Sequence, residues 1–156
     1  GVLGRPIMRG NVRFCRRPLD GMLIQVVPNW QEFDSGRTGF TEEAAFYAHA
    51  VTVGVSVDWT VLGDVPIVSV PARDLRNAWA WDGAKVVIDP ARADAIYWAR
   101  VRQDRDARLQ ESDAMMLRAN ELSVGGAAWR AYRQALRDLP QTQPDPKRIV
   151  WPLPPF

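Results

Sequence analysis

Hydrophobic and polar positions fall into two rhythms along this chain, one of period two and one of helical period. MLIQVV (residues 22–27) is a short apolar run stopped by Pro28, which predicts a β-strand. Val55, Val57, Trp59 and Val61 alternate with Ser56, Asp58 and Thr60, the pattern of a half-buried strand. Gly63-Asp64 then predicts a turn, and Pro66 restricts IVSV to an edge or short strand. Within residues 76–89, Asp82-Gly83 is a two-residue turn signal between AWAW and KVVI, so a β-hairpin is expected. NWQEFDSGRTGF (29–40) reads as a polar loop. TEEAAFYAHAVTVG (41–54) reads as a helix with Thr41 as N-cap, Glu42 and Glu43 complementing its dipole, and Gly54 as its stop. Ala44, Tyr47, Ala48 and Val51 share its core face, with His49 off that stripe.

From Asp89 onward the rhythm is helical. Asp89-Pro90 pairs an N-cap carboxylate with proline at the first helical position, and no Gly or Pro interrupts the chain up to Leu122. The apolar positions of this long helix are Ile96, Tyr97, Val101, Leu109, Met115, Met116 and Leu117. Its middle is Arg/Asp-rich, with Arg102/Asp106 and Asp104/Arg108 spaced i,i+4, the pattern of a solvated face. Gly125-Gly126 ends or hinges it. A last helix over 127–139 puts Trp129, Tyr132, Leu136 and Leu139 on one face and Arg130, Arg133 and Arg137 on a basic flank. So short a helix is marginal alone, so it must pack on the preceding helix as an αα-hairpin or on another protein. Pro140, which lacks an N–H and fixes φ, is expected to stop it.

Residues 140–156 carry Pro140, Pro144, Pro146, Pro152, Pro154 and Pro155, and are expected to form an extended, polyproline-like strap. Prolines lower the entropy lost on docking, and Ile149, Val150, Trp151, Leu153 and Phe156 supply apolar area. The strap docks either on its own hairpin or on a partner. The expected fold is therefore α+β: a small antiparallel sheet with one helix (22–89), then a helical arm (90–139) and the strap (140–156). Residues 1–21 are expected to be a basic leader without fixed structure, Met22 starting the folded part.

Composition narrows the function. With 156 residues, 47% hydrophobic and 24% charged, the chain fits one domain, or a small domain with an arm, and carries a real core. Seven tryptophans are many for this length; any single one is read as core before surface, but so many large rings also favour an interaction surface. Net charge is only +2, and although Arg5, Arg9, Arg13, Arg16 and Arg17 crowd the start, they match no nucleic-acid motif. A lone Cys15 and a lone His49 exclude an internal disulfide and a histidine-rich metal site, and argue against a Cys/His dyad. No run approaches the roughly 20 apolar residues of a membrane span. Glu42/Glu43, Asp104/Asp106 and Glu111/Asp113 sit where dipole complementation and solubility account for them. FDSGRTGF lacks the Lys-Ser/Thr of a phosphate-binding loop, and no G-x-S-x-G elbow occurs. The expectation is a non-enzyme with no catalytic residue, no cofactor and no metal.

AAWRAYRQALRDLPQTQPDPKRIVWPLPP (127–155) resembles the C-terminal signature of the bacteriophage tail assembly chaperone family. That signature is a W-x-x-Y-R-x-x-L-R-D-x-P helix end followed by a short linker and a V-W-P-x-x-P tail. Trp129, Tyr132, Arg133, Leu136, Arg137, Asp138 and Pro140, then Val150, Trp151, Pro152 and Pro155, carry the match. The preceding R-x-x-R-D-x-R-L-x-x-S-D element, Arg102 to Asp113, also fits, although Ala114 and Met115 stand where the family commonly has Trp. The resemblance implies an accessory protein of tail or tail-fibre assembly, acting in the cytoplasm of the infected or lysogenic bacterium. Its partner would be a tail or tail-fibre protein, held through Trp129, Tyr132, Arg133, Leu136, Arg137, Trp151 and Pro152. Self-association remains compatible. The alternatives are a structural subunit of the tail or baseplate retained in the virion and, least favoured, a basic phage protein contacting nucleic acid.

Overall fold

The computed structural model describes residues 9–43, 45–46, 49 and 58–156. The expected core face of the 41–54 helix (Ala44, Tyr47, Ala48, Val51) lies outside the described residues, as do Val55 and Val57 of the expected strand. The chain divides into two compact units, residues 1–92 and 93–156.

The first unit contains two small antiparallel sheets. Strands β1 (Asn11–Arg16), β2 (Leu23–Val26) and β3 (Thr60–Pro66) form one in the order β2-β1-β3. Here the structure corrects the sequence reading: residues 11–16 are not leader but the central strand, paired on both sides. NVRFCR shows why, because Val12 and Phe14 point to one face and Arg13 and Cys15 to the other, and all four are almost wholly buried. Arginine at a core position hid the alternation. Arg13 is 1% exposed because Asp64, directly opposite on β3, takes its guanidinium in two hydrogen bonds of 2.6 and 2.9 Å. Burying such a charge without its partner would cost about 3–5 kcal/mol.

Gly63-Asp64 is likewise not a turn; both residues lie in β3. The register slips at Phe14/Cys15, and Gly63 is needed because the Trp81 ring sits where a Cβ would be, at 2.9 Å. Ile67–Ser69 forms a 3-10 turn rather than a strand, and Pro66 closes β3 opposite Asn11. The expected hairpin is present as β4 (Trp79–Trp81) and β5 (Val86–Ile88), but its loop holds four residues, not two. Asp82 closes that loop, its Oδ1 accepting from the N–H groups of Ala84 and Lys85 at 2.9 Å each. Val12, Phe14, Leu23 and Val65 pack with Trp79 and Val86, and Phe14 meets Trp79 edge-on at 5.7 Å. On the opposite face Cys15 and Val26 are covered by Trp30, Trp59 and Val61. Trp30 belongs to a short helix, α1 (Trp30–Asp34), where the sequence predicted loop; Asn29 caps it by accepting from Glu32 N–H. Arg9 lies over Trp30 and Phe33 and pairs with Asp34 and Glu43.

Helix α2 (Pro90–Leu122) begins as expected, with Asp89 Oδ1 accepting from Arg92 N–H at 2.8 Å. The predicted i,i+4 pairs are replaced: Asp106 takes Arg105 at 2.9 Å, and Arg108 turns to an aromatic ring. Ser123 and Gly125, both at positive φ (55° and 81°), reverse the chain into α3 (Gly126–Thr142). Contrary to expectation, α3 runs through Pro140. The missing proline N–H falls in the last turn, where Gln143 N–H still reaches Leu139 O at 3.0 Å and the Thr142 hydroxyl reaches Asp138 O. Residues 143–156 have no regular secondary structure.

Candidate functional site

The candidate site lies wholly in the second unit. Its framework is the face of α3 spaced i, i+3, i+7. Trp129, Tyr132 and Leu136 are buried together with Ala119 of α2, and Leu109, Met115, Met116 and Trp151 pack around them. Burying each such side chain contributes roughly 1.5–3 kcal/mol. The two helices thus form an αα-hairpin, one of the two packings that the pattern of α3 left open.

Arg133 fastens the hairpin. Its Nη1 donates to Leu109 O (3.0 Å), to the Ser112 hydroxyl and to Asp113 Oδ1 (2.6 Å). Ser112 is buried and itself donates back to Leu109 O at 2.7 Å. All three acceptors gather on that one nitrogen, so the end of the guanidinium is set into α2. The Ser-Asp step of α2 is therefore the seat of an α3 arginine.

The last residues return along the hairpin. Gln143 holds Val150 by two 2.7 Å hydrogen bonds, its side chain amide donating to Val150 O and its side chain oxygen accepting from Val150 N–H. This closes the loop 144–149, in which Asp145 caps Lys147 N–H at 2.9 Å. Trp151 then lies under the Arg108 guanidinium, 4.4 Å from its ring centroid. Farther on, Phe156 meets Trp129 edge-on at 5.8 Å and covers Gly125, where any Cβ would collide with its ring.

Of the residues singled out from sequence, Trp129, Tyr132, Leu136 and Trp151 are thus brought into one cluster, and Arg133 joins it from the side. Arg137 stands apart, exposed, and Pro152 is half-buried. Sequence reasoning missed what surrounds Phe156. Met115, Leu122, Val124, Trp129 and Phe156 line an apolar groove of about 290 Å³ with Arg118 at its side. Leu122, Val124 and Phe156 are 61%, 66% and 72% exposed, so the groove opens on an apolar rim with the exposed Arg118 beside it. The indole N–H of Trp129 is buried there without an acceptor. The available signal was the apolar pair Leu122/Val124 flanking a glycine turn.

The arrangement offers apolar contact with one arginine beside it. Among the described residues no group of three His, Cys, Asp or Glu side chains could hold a metal, and no helix is long and apolar enough to cross a membrane. Residues 98–156 match the family model described as phage tail assembly chaperone protein, a non-enzymatic family. The matched segment contains the groove, the Arg133 fastening and the returning tail. No curated protein and no solved structure matches the chain.

Proposed function

We propose that this chain, whose residues 98–156 match the family model of the phage tail assembly chaperone protein, acts as a chaperone of tail or tail-fibre assembly. It would hold its client through the second unit and work in the cytoplasm of the infected or lysogenic bacterium. The observation that carries this reading is the open apolar groove inside the family segment, rimmed by Leu122, Val124 and Phe156. A soluble protein that leaves such side chains uncovered at one turn has a use for them. The client chemistry that fits is an apolar segment of a tail component, set against Leu122, Val124 and Phe156. Covering that segment hides an aggregation-prone surface until assembly.

The residues singled out from sequence divide between two roles. Trp129 lines the groove, and Tyr132, Leu136 and Arg133 hold the hairpin. Arg137, Trp151 and Pro152 lie along α3 and the returning chain, where a client covering this side meets them. A small apolar groove supports moderate, reversible affinity, which suits a protein that must release what it binds.

The test is a tagged full chain, pulled down at moderate salt from cells producing the phage, with finished particles probed in parallel. A tail or fibre protein is expected in the pull-down, with this chain absent from particles. Leu122→Asp with Val124→Asp should reduce recovery of that protein at least tenfold while helix content is unchanged, because both side chains already face solvent. Trp151→Ala should weaken recovery less. Undiminished recovery with the double variant would remove the groove from the mechanism. Presence in the particle would make the chain a retained tail subunit.

A further inference from the structure

The first unit carries a second surface that the chaperone segment does not account for. Strand β2 is the outer member of the β2-β1-β3 sheet among the described strands. Arg17 N–H donates to Met22 O at 3.0 Å, which makes that pair a bonded one. Alternation along the ladder then directs the Ile24 and Val26 peptide groups toward β1 and those of Leu23 and Gln25 away from it. A cavity of about 500 Å³ runs along this side and touches Met22, Leu23, Ile24 and Gln25 in succession. Successive strand residues project to opposite faces, so an opening that meets all four lies along the strand's edge.

The far wall of that cavity is cationic. Arg73, Arg76 and Asn77 line it, Arg17 stands at one end, and no carboxylate is among its lining residues. Arg17 is already held by Asp20 at 2.6 Å. Arg73 and Arg76 are exposed and make no ion pair among the described residues. Trp79 also lines the cavity; the residue is only 5% exposed, yet its indole N–H has no acceptor.

We propose that the β2 edge is a docking site for an extended acidic polypeptide segment, which joins the sheet beside Leu23 and Gln25 and sets its carboxylates against Arg73 and Arg76. A strand edge presents N–H and C=O groups alternately, and only another peptide backbone answers both. A phosphate chain would accept from the arginines but leave the β2 carbonyls unpaired. Four residues of edge need a segment of only about 13 Å, so a short stretch suffices. This surface is separate from the groove of the second unit, and neither reading depends on the other.

The experiment uses the full chain and three labelled eight-residue peptides, followed by fluorescence anisotropy. One alternates Glu with Val, one alternates Lys with Val, and one is the Glu peptide N-methylated at alternate backbone positions. The Glu peptide is expected to bind, to weaken at least tenfold on Arg73→Glu with Arg76→Glu, and to weaken similarly on N-methylation. Those arginines are exposed, so the variant should keep the wild-type melting temperature. Equal binding of the Lys peptide or of the N-methylated peptide would overturn the proposal. So would no binding at millimolar peptide, or tighter binding of a single-stranded oligonucleotide that the same arginine substitutions abolish.

Discussion

The two units are held together by contacts of opposite range. In the first, β1 pairs with β3 about fifty positions later, and one core cluster draws on Val12, Phe14, Leu23, Val65, Trp79 and Val86. In the second, two consecutive helices meet across a three-residue turn, and the tail folds over both. A sheet with one central strand fails as a whole when that strand is lost, because neither neighbour can pair with the other. Two packed helices can lose a contact and remain helices. The first unit is thus the cooperative, slowly assembled part, as long-range pairing requires, and the second is local and adjustable. An adjustable unit is the better place for a client to bind and leave.

The largest effect should come from breaking the central strand. Phe14 is fully buried between Trp79 and Trp81, so Phe14→Ala should cost about 3–5 kcal/mol. Thermal melts followed by near-ultraviolet dichroism should show the tryptophan signal of the first unit lost at lower temperature. The helical signal at 222 nm should persist beyond it, since Leu136 and its neighbours are untouched. Deleting residues 1–21 should abolish the first transition altogether. A single transition shifted equally at both wavelengths would break the distinction between the units.

Arg133 gives the corresponding test in the second unit, with a smaller expected effect. Arg133→Met keeps the aliphatic stem but removes the donors to Leu109 O, Ser112 and Asp113. The buried Ser112 still donates to Leu109 O, so only part of the network is lost. A cost of about 1.5–3 kcal/mol is expected, read as an earlier loss of the 222 nm signal together with the Trp129 and Tyr132 part of the near-ultraviolet signal, the first unit's part being unmoved. Arg137→Met on the exposed flank should change little. Equal costs for the two would mean that the fastening contributes nothing beyond net charge.

The same contrast in range explains what the sequence disclosed. Helix α2 and its Asp89 cap, the core face of α3 and the glycine reversal are all signalled within a few residues of where they act. The partner of Arg13 is not, since Asp64 lies 51 positions away, and without it a buried arginine reads as part of a basic leader. Gly63 reads as a turn for the same reason: the Trp81 ring that requires a glycine there comes from another sheet. In the candidate site, Trp129, Tyr132 and Leu136 were legible from their spacing. Phe156 was legible as apolar but not as the cover of Trp129, which depends on how the proline-rich residues return. Pro140 misled because its cost depends on position; in a last turn little of the hydrogen-bond ladder remains to be broken.

The smallest expected effect again separates the units, through Cys15. Its thiol is fully buried, and burial pushes its pKa above the usual range; Asp64 adds to this and Arg13 opposes it. The folded state therefore holds the thiol proton more tightly than the unfolded chain does. The first unit's stability is unaffected by this group below the ordinary thiol pKa of about 8.5 and declines as pH rises past it. Other groups titrate there too, so the readout is the difference in slope of melting temperature against pH between the wild type and Cys15→Ala. The near-ultraviolet transition should show that difference and the 222 nm transition of the second unit should not. Native Cys15 should also react with a disulfide reagent at pH 8 only as fast as the first unit opens, so that Phe14→Ala accelerates the reaction and Arg133→Met does not. Reaction at the rate of a free thiol in the intact chain would mean that β1 opens far more readily than its pairing on both sides implies, and the first unit would lose its claim to be the cooperative one.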